Sequence, residues 1–195
     1  MAHILDGVLR VSVVGNSGSG KTTIAAALGA ALDAPHLELD SVFHQPGWVQ
    51  LADEDFRRRV AEFVVAERWV TDGNYSSKVQ DLIWARADTV VWLDPPRHRV
   101  MRRIIWRTLR RVVARAELWN GNREPWTNLL RADPMKSIIA WAWTRHHATR
   151  QRYQGAMADP AHAHLTFIRL RTPAEVAALV TQVRALAASP PRDSA

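Results

Sequence analysis

Gly15-Asn16-Ser17-Gly18-Ser19-Gly20-Lys21-Thr22 reads G-x-x-x-x-G-K-T, and its flanks decide how it folds. Ahead of it stands the β-branched run Leu9-Arg10-Val11-Ser12-Val13-Val14. Behind it, Thr23 to Leu32 is rich in good helix formers. Strand, glycine loop and helix together are the context that turns this pattern into a phosphate-binding loop. Glycines let successive backbone N–H groups turn inward. The helix that follows adds unsatisfied N–H groups and the positive end of its dipole. Gly15 through Thr23 therefore form the expected nucleotide-binding stretch. Lys21 supplies a cation for β- and γ-phosphates, and the Thr22 hydroxyl is a ligand suited to Mg2+.

Working outward, strands alternate with helices. Pro35 to Asp40 reads as a second strand ending in a carboxylate, followed by a linker from Ser41 to Leu51. Asp53 to Glu67 carries Phe56, Val60, Phe63 and Val64 on one helical face. Trp69-Val70-Thr71 is a third strand closed by Asp72-Gly73-Asn74-Tyr75. A short helix from Val79 to Trp84 leads to Thr89-Val90-Val91-Trp92-Leu93, a continuous apolar run of the kind a parallel strand covered on both faces shows. An arginine-rich helix runs from Asp94-Pro95-Pro96 to about Ala116. A loop over Trp119 to Trp126, a helix from Pro134 to Tyr153, a fifth strand His164 to Leu170 and a last helix Ala174 to Ala187 complete the chain. The expectation is an α/β, three-layer P-loop NTPase fold with a five-stranded parallel sheet and right-handed crossovers. Residues 1–188 read as one domain, 97–152 as a helical, arginine-rich lid region, and 189–195 as a loose tail.

Composition narrows the function classes. The 195 residues lack cysteine, which excludes disulfides and thiolate metal sites. No apolar run reaches the ~18 residues of a membrane span, and the first residues lack a signal-peptide layout. The expectation is therefore a cytoplasmic protein with no membrane partner. Net charge is +7, but residues 97–152 hold 14 of the 26 Lys and Arg against three acids, Glu117, Glu124 and Asp133. That segment seeks an anion, either a nucleotide's phosphates or a nucleic-acid backbone.

In parallel α/β sheets ligands sit beyond the carboxyl ends of the strands. Asp40, Asp72 and Asp94 stand at three such ends, beside the phosphate loop. Asp is also common at turns and helix caps, and Asp94 before two prolines reads most simply as a cap. Asp72 is the candidate for holding Mg2+ through water, and Asp40 for orienting an acceptor hydroxyl as a base.

These residues carry a resemblance. Leu93-Asp94-Pro95-Pro96, followed by Arg103 and Arg107, is similar in order and spacing to the segment entering the lid of adenylate kinase, and the likeness spans nearly the whole chain. It implies that Arg103 contacts ATP near the adenine and Arg107 contacts the phosphates. A finer resemblance is to the topology-modulation (FlaR-like) proteins. It is carried by Leu39-Asp40 with Phe43 and Trp48, by Asp72-Gly73-Asn74-Tyr75, by Arg86-Ala87-Asp88, and by Gly121-Asn122-Arg123-Glu124. The departure is at Asn74, Tyr75 and Ser76, where adenylate kinase has an aromatic, a proline and an arginine that grips the acceptor phosphate. Nucleoside monophosphates become less favoured acceptors. Asp40 instead resembles the acid that binds an acceptor hydroxyl in shikimate and gluconate kinases, with Phe43, His44 and Trp48 as a cover.

The arginine helix presents Arg99, Arg103, Arg107 and Arg110 or Arg111 on one face, with Met101, Ile105, Leu109 and Val112 as its expected apolar face. The sequence reading is thus ATP-dependent phosphoryl transfer to an unidentified small hydroxyl- or phosphate-bearing acceptor, with Lys21, Asp40, Arg103 and Arg107 catalytic. GTP is disfavoured because no Asn-Lys-x-Asp stretch is present. Two rivals stay open. One is a nucleic-acid-associated NTPase in which Trp119, Trp126, Trp141 and Trp143 stack bases among the arginines. The other is a nucleotide-binding regulator. The oligomeric state is not encoded in any motif.

Overall fold

The computed structural model describes residues 8–113, 119–122 and 138–188. Five strands, β1 (Arg10–Gly15), β2 (His36–Glu38), β3 (Trp69–Asp72), β4 (Thr89–Leu93) and β5 (Thr166–Leu170), form one sheet. All pairings are parallel, in the order β2-β3-β1-β4-β5. Among the described residues the α-helices are α1 (Lys21–Leu32), α2 (Leu39–Phe43), α3 (Asp53–Phe63), α4 (Gln80–Trp84), α5 (Arg97–Val113), α6 (Ile138–Ala158) and α7 (Pro173–Ala187).

Side-chain alternation sorts the strands into two cores. Val11 and Val13 of β1, Val70 of β3 and Val91 of β4 pack with Ile24 and Leu28 of α1 and Leu179 and Val183 of α7. Their neighbours Val14, Trp69, Val90 and Trp92 face the other way, against Phe56 and Val60 of α3, Trp84 of α4 and Tyr153 of α6. That is the expected three-layer sandwich. Ser12 is buried on this second face, where the Trp84 indole N–H donates to its hydroxyl at 3.3 Å. A buried hydroxyl without such a partner would be costly.

Register decides what gathers at the carboxyl edge. Glu38 lies opposite Asp72, Asp72 opposite Val13, and Gly15 opposite Leu93. The end of β2, the end of β3 and the start of the glycine loop therefore stand side by side.

Several sequence expectations are corrected. The second strand stops at Glu38, and Asp40 sits in the first turn of α2. The stretch expected as a linker holds α2 and a 3-10 turn, Pro46–Trp48, closed by a bridge between His44 and Gln50. α3 ends at Phe63 rather than Glu67, because the chain must turn to feed the fully buried Trp69 and Val70 into the sheet. The fifth strand begins at Thr166, not His164. Among the described side chains of α5 the buried ones are Val100, Met101 and Ile104, whereas Ile105 and Leu109 are 40% and 41% exposed; Val112 lies outside the described side chains. The helix is rotated because its contact seam is the glycine loop itself: a Cβ on Gly18 would lie 2.4 Å from Ile104 Cγ1. Arg123, Glu124, Trp126 and the tail 189–195 lie outside the described residues.

Candidate active site

The loop between β1 and α1 owes its path to glycine at two points. Gly15 has φ 142°, and a Cβ there would meet the Leu93 carbonyl oxygen at 2.5 Å. Gly18, at φ 75°, lies under Ile104. Inside the loop, Ser19 N–H donates to the Asn16 carbonyl at 3.1 Å. The bond from Ile24 N–H to the Gly20 carbonyl begins the α1 ladder, so the amides just ahead of it precede any intrahelical partner. A helix start of that kind is suited to an anion.

Thr22, one residue into α1, faces the strand ends. Its hydroxyl lies 2.8 Å from Asp72 Oδ2 and 3.1 Å from Glu38 Oε1. Asp72 is buried, and its other oxygen is 3.0 Å from His36 Nε2. Hydroxyl and carboxylate oxygens are the hard donors that Mg2+ prefers, so Thr22, Asp72 and Glu38 fit that ion by donor type. Among the described residues no group of three His, Asp or Glu could hold a metal by itself. An ion here would complete its shell from phosphates and water, as Mg2+ commonly does.

Lys21 is the centre of the electrostatics. Burial is the main influence on its ammonium and pushes its pKa below the ordinary 10.5, while Asp40 and Asp72 pull upward, Arg107 opposes them, and Glu38 adds to the pull. Its ammonium reaches the Asn16 carbonyl at 3.4 Å. Both expected lid arginines arrive at the loop. Arg103 Nη1 donates to the Ser19 carbonyl at 3.1 Å, and Arg107 Nη2 donates to Ser17 Oγ at 3.4 Å.

On the acceptor side, Tyr75 O–H donates to Asp40 Oδ1 at 2.6 Å. Burial, reinforced by the Asp40 charge, pushes the Tyr75 phenol well above its usual range, so it stays a donor. Phe43 packs against Tyr75 and Phe56 with centroids 4.9 and 5.1 Å apart. It therefore belongs to the core rather than covering an acceptor. His44, Trp48 and Trp119 form a ring cluster, with His44 stacked on Trp119 at 6.1 Å and edge-on to Trp48 at 5.5 Å.

Asp94, the weakest of the three carboxylates, is tied elsewhere. It accepts Arg169 Nε at 3.0 Å and a second bond from Arg169 Nη2, with Arg150 3.5 Å away. Its part is an ion pair between the end of β4, β5 and α6.

Sequence reasoning missed four contributors. Glu38 was passed over for Asp40, although His36 and Glu38 share a strand face two residues apart, which is the available signal. Asn74 grips Gly15 from both sides: Gly15 N–H donates to Asn74 Oδ1 at 3.1 Å, and Asn74 Nδ2 donates to the Gly15 carbonyl at 2.6 Å. Trp119 donates its indole N–H to Glu38 Oε2 at 2.7 Å, and Asn122 Nδ2 donates to the Gln45 carbonyl at 3.0 Å. The sequence offers Trp119 only as a base-stacking ring and Asn122 only within the Gly121-to-Glu124 motif; the contacts they make are long-range and have no local signal.

No protein-family model matches the chain, and no curated protein matches it. Solved structures do match. A shikimate kinase from Bacteroides thetaiotaomicron superposes with TM-score 0.54 at 17% identity, over 91% of this chain and 97% of that one. A shikimate kinase from Acinetobacter baumannii in complex with shikimate gives 0.53 at 15% identity, over 95% and 96%. A gluconokinase from Sinorhizobium meliloti 1021 gives 0.50 at 18% identity, over 93% of each chain. The chain has the α/β fold of these P-loop kinases along nearly its whole length.

Proposed function

We propose that this protein is an ATP-dependent phosphotransferase that moves the γ-phosphoryl group to a hydroxyl of a small acceptor. The observation that carries the reading is the gathering at the glycine loop of cations and carboxylates: Arg103 on the Ser19 carbonyl, Arg107 on the Ser17 hydroxyl, and Asp72 and Glu38 on the Thr22 hydroxyl. The solved structures that share this fold support it, since they include shikimate kinases and a gluconokinase.

In this reading the loop amides and Lys21 hold the phosphates, Arg103 and Arg107 clamp ATP, and Thr22, Asp72 and Glu38 would hold Mg2+. The ion, when bound, neutralises charge on the β- and γ-phosphates. Asp40 accepts the proton of the acceptor hydroxyl through the oxygen that Tyr75 does not occupy. Most of the rate gain comes from positioning and charge neutralisation. Residues 1–188 act as one unit with 97–152 as its lid, and the enzyme works in the cytoplasm. The finer likeness to topology-modulation proteins rests on the sequence motifs alone. Among the described residues no helix is long and apolar enough to cross a membrane.

The test is γ-labelled ATP with a panel of hydroxy acids, sugar acids, nucleosides and nucleotides, scored for label on the acceptor. Label released to water alone counts against the proposal.

A nucleic-acid-associated NTPase is favoured by one feature: Trp106 is 69% exposed on α5, with Arg102 and Arg110 also exposed at helical spacing. Against it, Trp119 is committed to Glu38 and the ring cluster rather than free to stack a base. Steeply salt-dependent RNA or DNA binding without acceptor labelling would decide for it.

A further inference from the structure

The turn after β3 carries two adjacent side chains that reach opposite halves of the site. Asn74 satisfies both the N–H and the carbonyl of Gly15, the residue where the glycine loop begins. Its Oδ1 also accepts Tyr153 O–H at 3.1 Å, which ties the arrangement to α6. The next residue, Tyr75, donates to Asp40 at 2.6 Å. The turn itself has little room to shift. Gly73 has φ 149°, and a Cβ there would lie 2.8 Å from Leu39 Cβ, at the start of the helix bearing Asp40.

We infer that Asn74 and Tyr75 form a two-sided positioning turn, in which Asn74 sets the donor loop and Tyr75 sets the acceptor acid. This rests on the phosphotransferase reading for its acceptor half only. Asn74 acts through backbone: a two-bond grip mimics a strand partner for Gly15 where β3 has already ended. Tyr75 occupies one oxygen of Asp40 and so leaves the other as the acceptor-facing one. Because both anchors are consecutive residues, the spacing between phosphate loop and acceptor acid is fixed by one peptide unit. A site that transfers a group between two bound molecules needs that spacing held to a fraction of an ångström.

The test compares Asn74→Ala, Tyr153→Phe and Tyr75→Phe with the parent chain. It measures ATP–Mg2+ affinity by calorimetry, steady-state transfer to the best acceptor of the labelling panel, and thermal melting as a folding check. Asn74→Ala is expected to weaken ATP binding about tenfold, the loss of one to two hydrogen bonds. Tyr153→Phe, a milder variant, moves ATP affinity the same way by a smaller factor. Tyr75→Phe is expected to leave ATP affinity within about twofold while kcat/KM for the acceptor falls about tenfold. A general structural role would move both readouts in all three variants, and that result overturns the inference. Equal effects of Asn74→Ala and Tyr75→Phe on ATP affinity overturn it too. If the parent binds ATP but labels no acceptor, the function and the Tyr75 half fail together, while the Asn74 half still stands or falls on affinity alone.

Discussion

Trp119 donates its indole N–H to Glu38 Oε2 at 2.7 Å, while Glu38 Oε1 lies 3.1 Å from the Thr22 hydroxyl. A residue beyond the arginine helix is thereby joined, through one carboxylate, to the first turn of α1. Asn120 and Asn122 strengthen the seam, with Asn120 Nδ2 donating to the Ser41 carbonyl at 3.0 Å and Asn122 Oδ1 accepting Trp48 N–H at 2.9 Å.

Glu38→Gln is expected to lower transfer about tenfold and to raise the Mg2+ concentration needed for half-maximal rate, as loss of a supporting carboxylate does. Trp119→Phe should raise the Mg2+ requirement in the same direction by a smaller factor. A titration of initial rate against Mg2+ checks both. The double variant should be less than additive, since the two side chains share one bond.

Lys21→Met is expected to reduce transfer at least about a hundredfold, the scale on which a transition-state charge contact counts. The same substitution should leave the free protein as stable as before or more so, because burial disfavours the Lys21 charge in the fold. The pH sign follows. The folded chain holds the Lys21 pKa below its ordinary value of 10.5, so between the two values the unfolded chain binds more protons. Stability contributed at this position therefore rises with pH across that alkaline window. Melting temperatures of parent and Lys21→Met, compared as pH climbs toward 10.5, should converge.

Arg103→Ala and Arg107→Ala each remove a guanidinium that lies on the loop, and each should cost roughly a hundredfold in kcat. Lysine at either position should restore little, since a point ammonium does not reproduce the planar fork. Steady-state kinetics with circular dichroism as a folding control measures this.

Gly18→Ala places a methyl 2.4 Å from Ile104 Cγ1 on a backbone at φ 75°. A loss of about 1–3 kcal/mol in stability is expected from strain and overpacking. Adding Ile104→Ala should recover only the packing part, because the backbone strain remains. Urea unfolding of the single and double variants separates the two.

Much of this protein was written locally. The G-x-x-x-x-G-K-T stretch, with a β-branched run before it and helix formers after it, is a short-range pattern, and strand, loop and helix follow within one turn of chain. Continuous apolarity over Thr89 to Leu93 marks a strand covered on both faces, and it lies inside the sheet, between β1 and β5. Arg103 and Arg107 stand out among the arginines of this helix through the resemblance to adenylate kinase, and both reach the loop. What the sequence could not show is whatever depends on register and on the rotation of an element about its own axis. Whether Glu38 or Asp40 meets Thr22 turns on where β2 stops, and that is settled by its pairing with β3. Whether Ile104 or Ile105 faces inward turns on the helix seating against Gly18. The grip of Asn74 on Gly15 joins residues 59 positions apart, and Trp119 meets Glu38 across 81. Local pattern determines which element forms; only the packed sheet, by aligning strand ends, determines which side chains share the space beyond it.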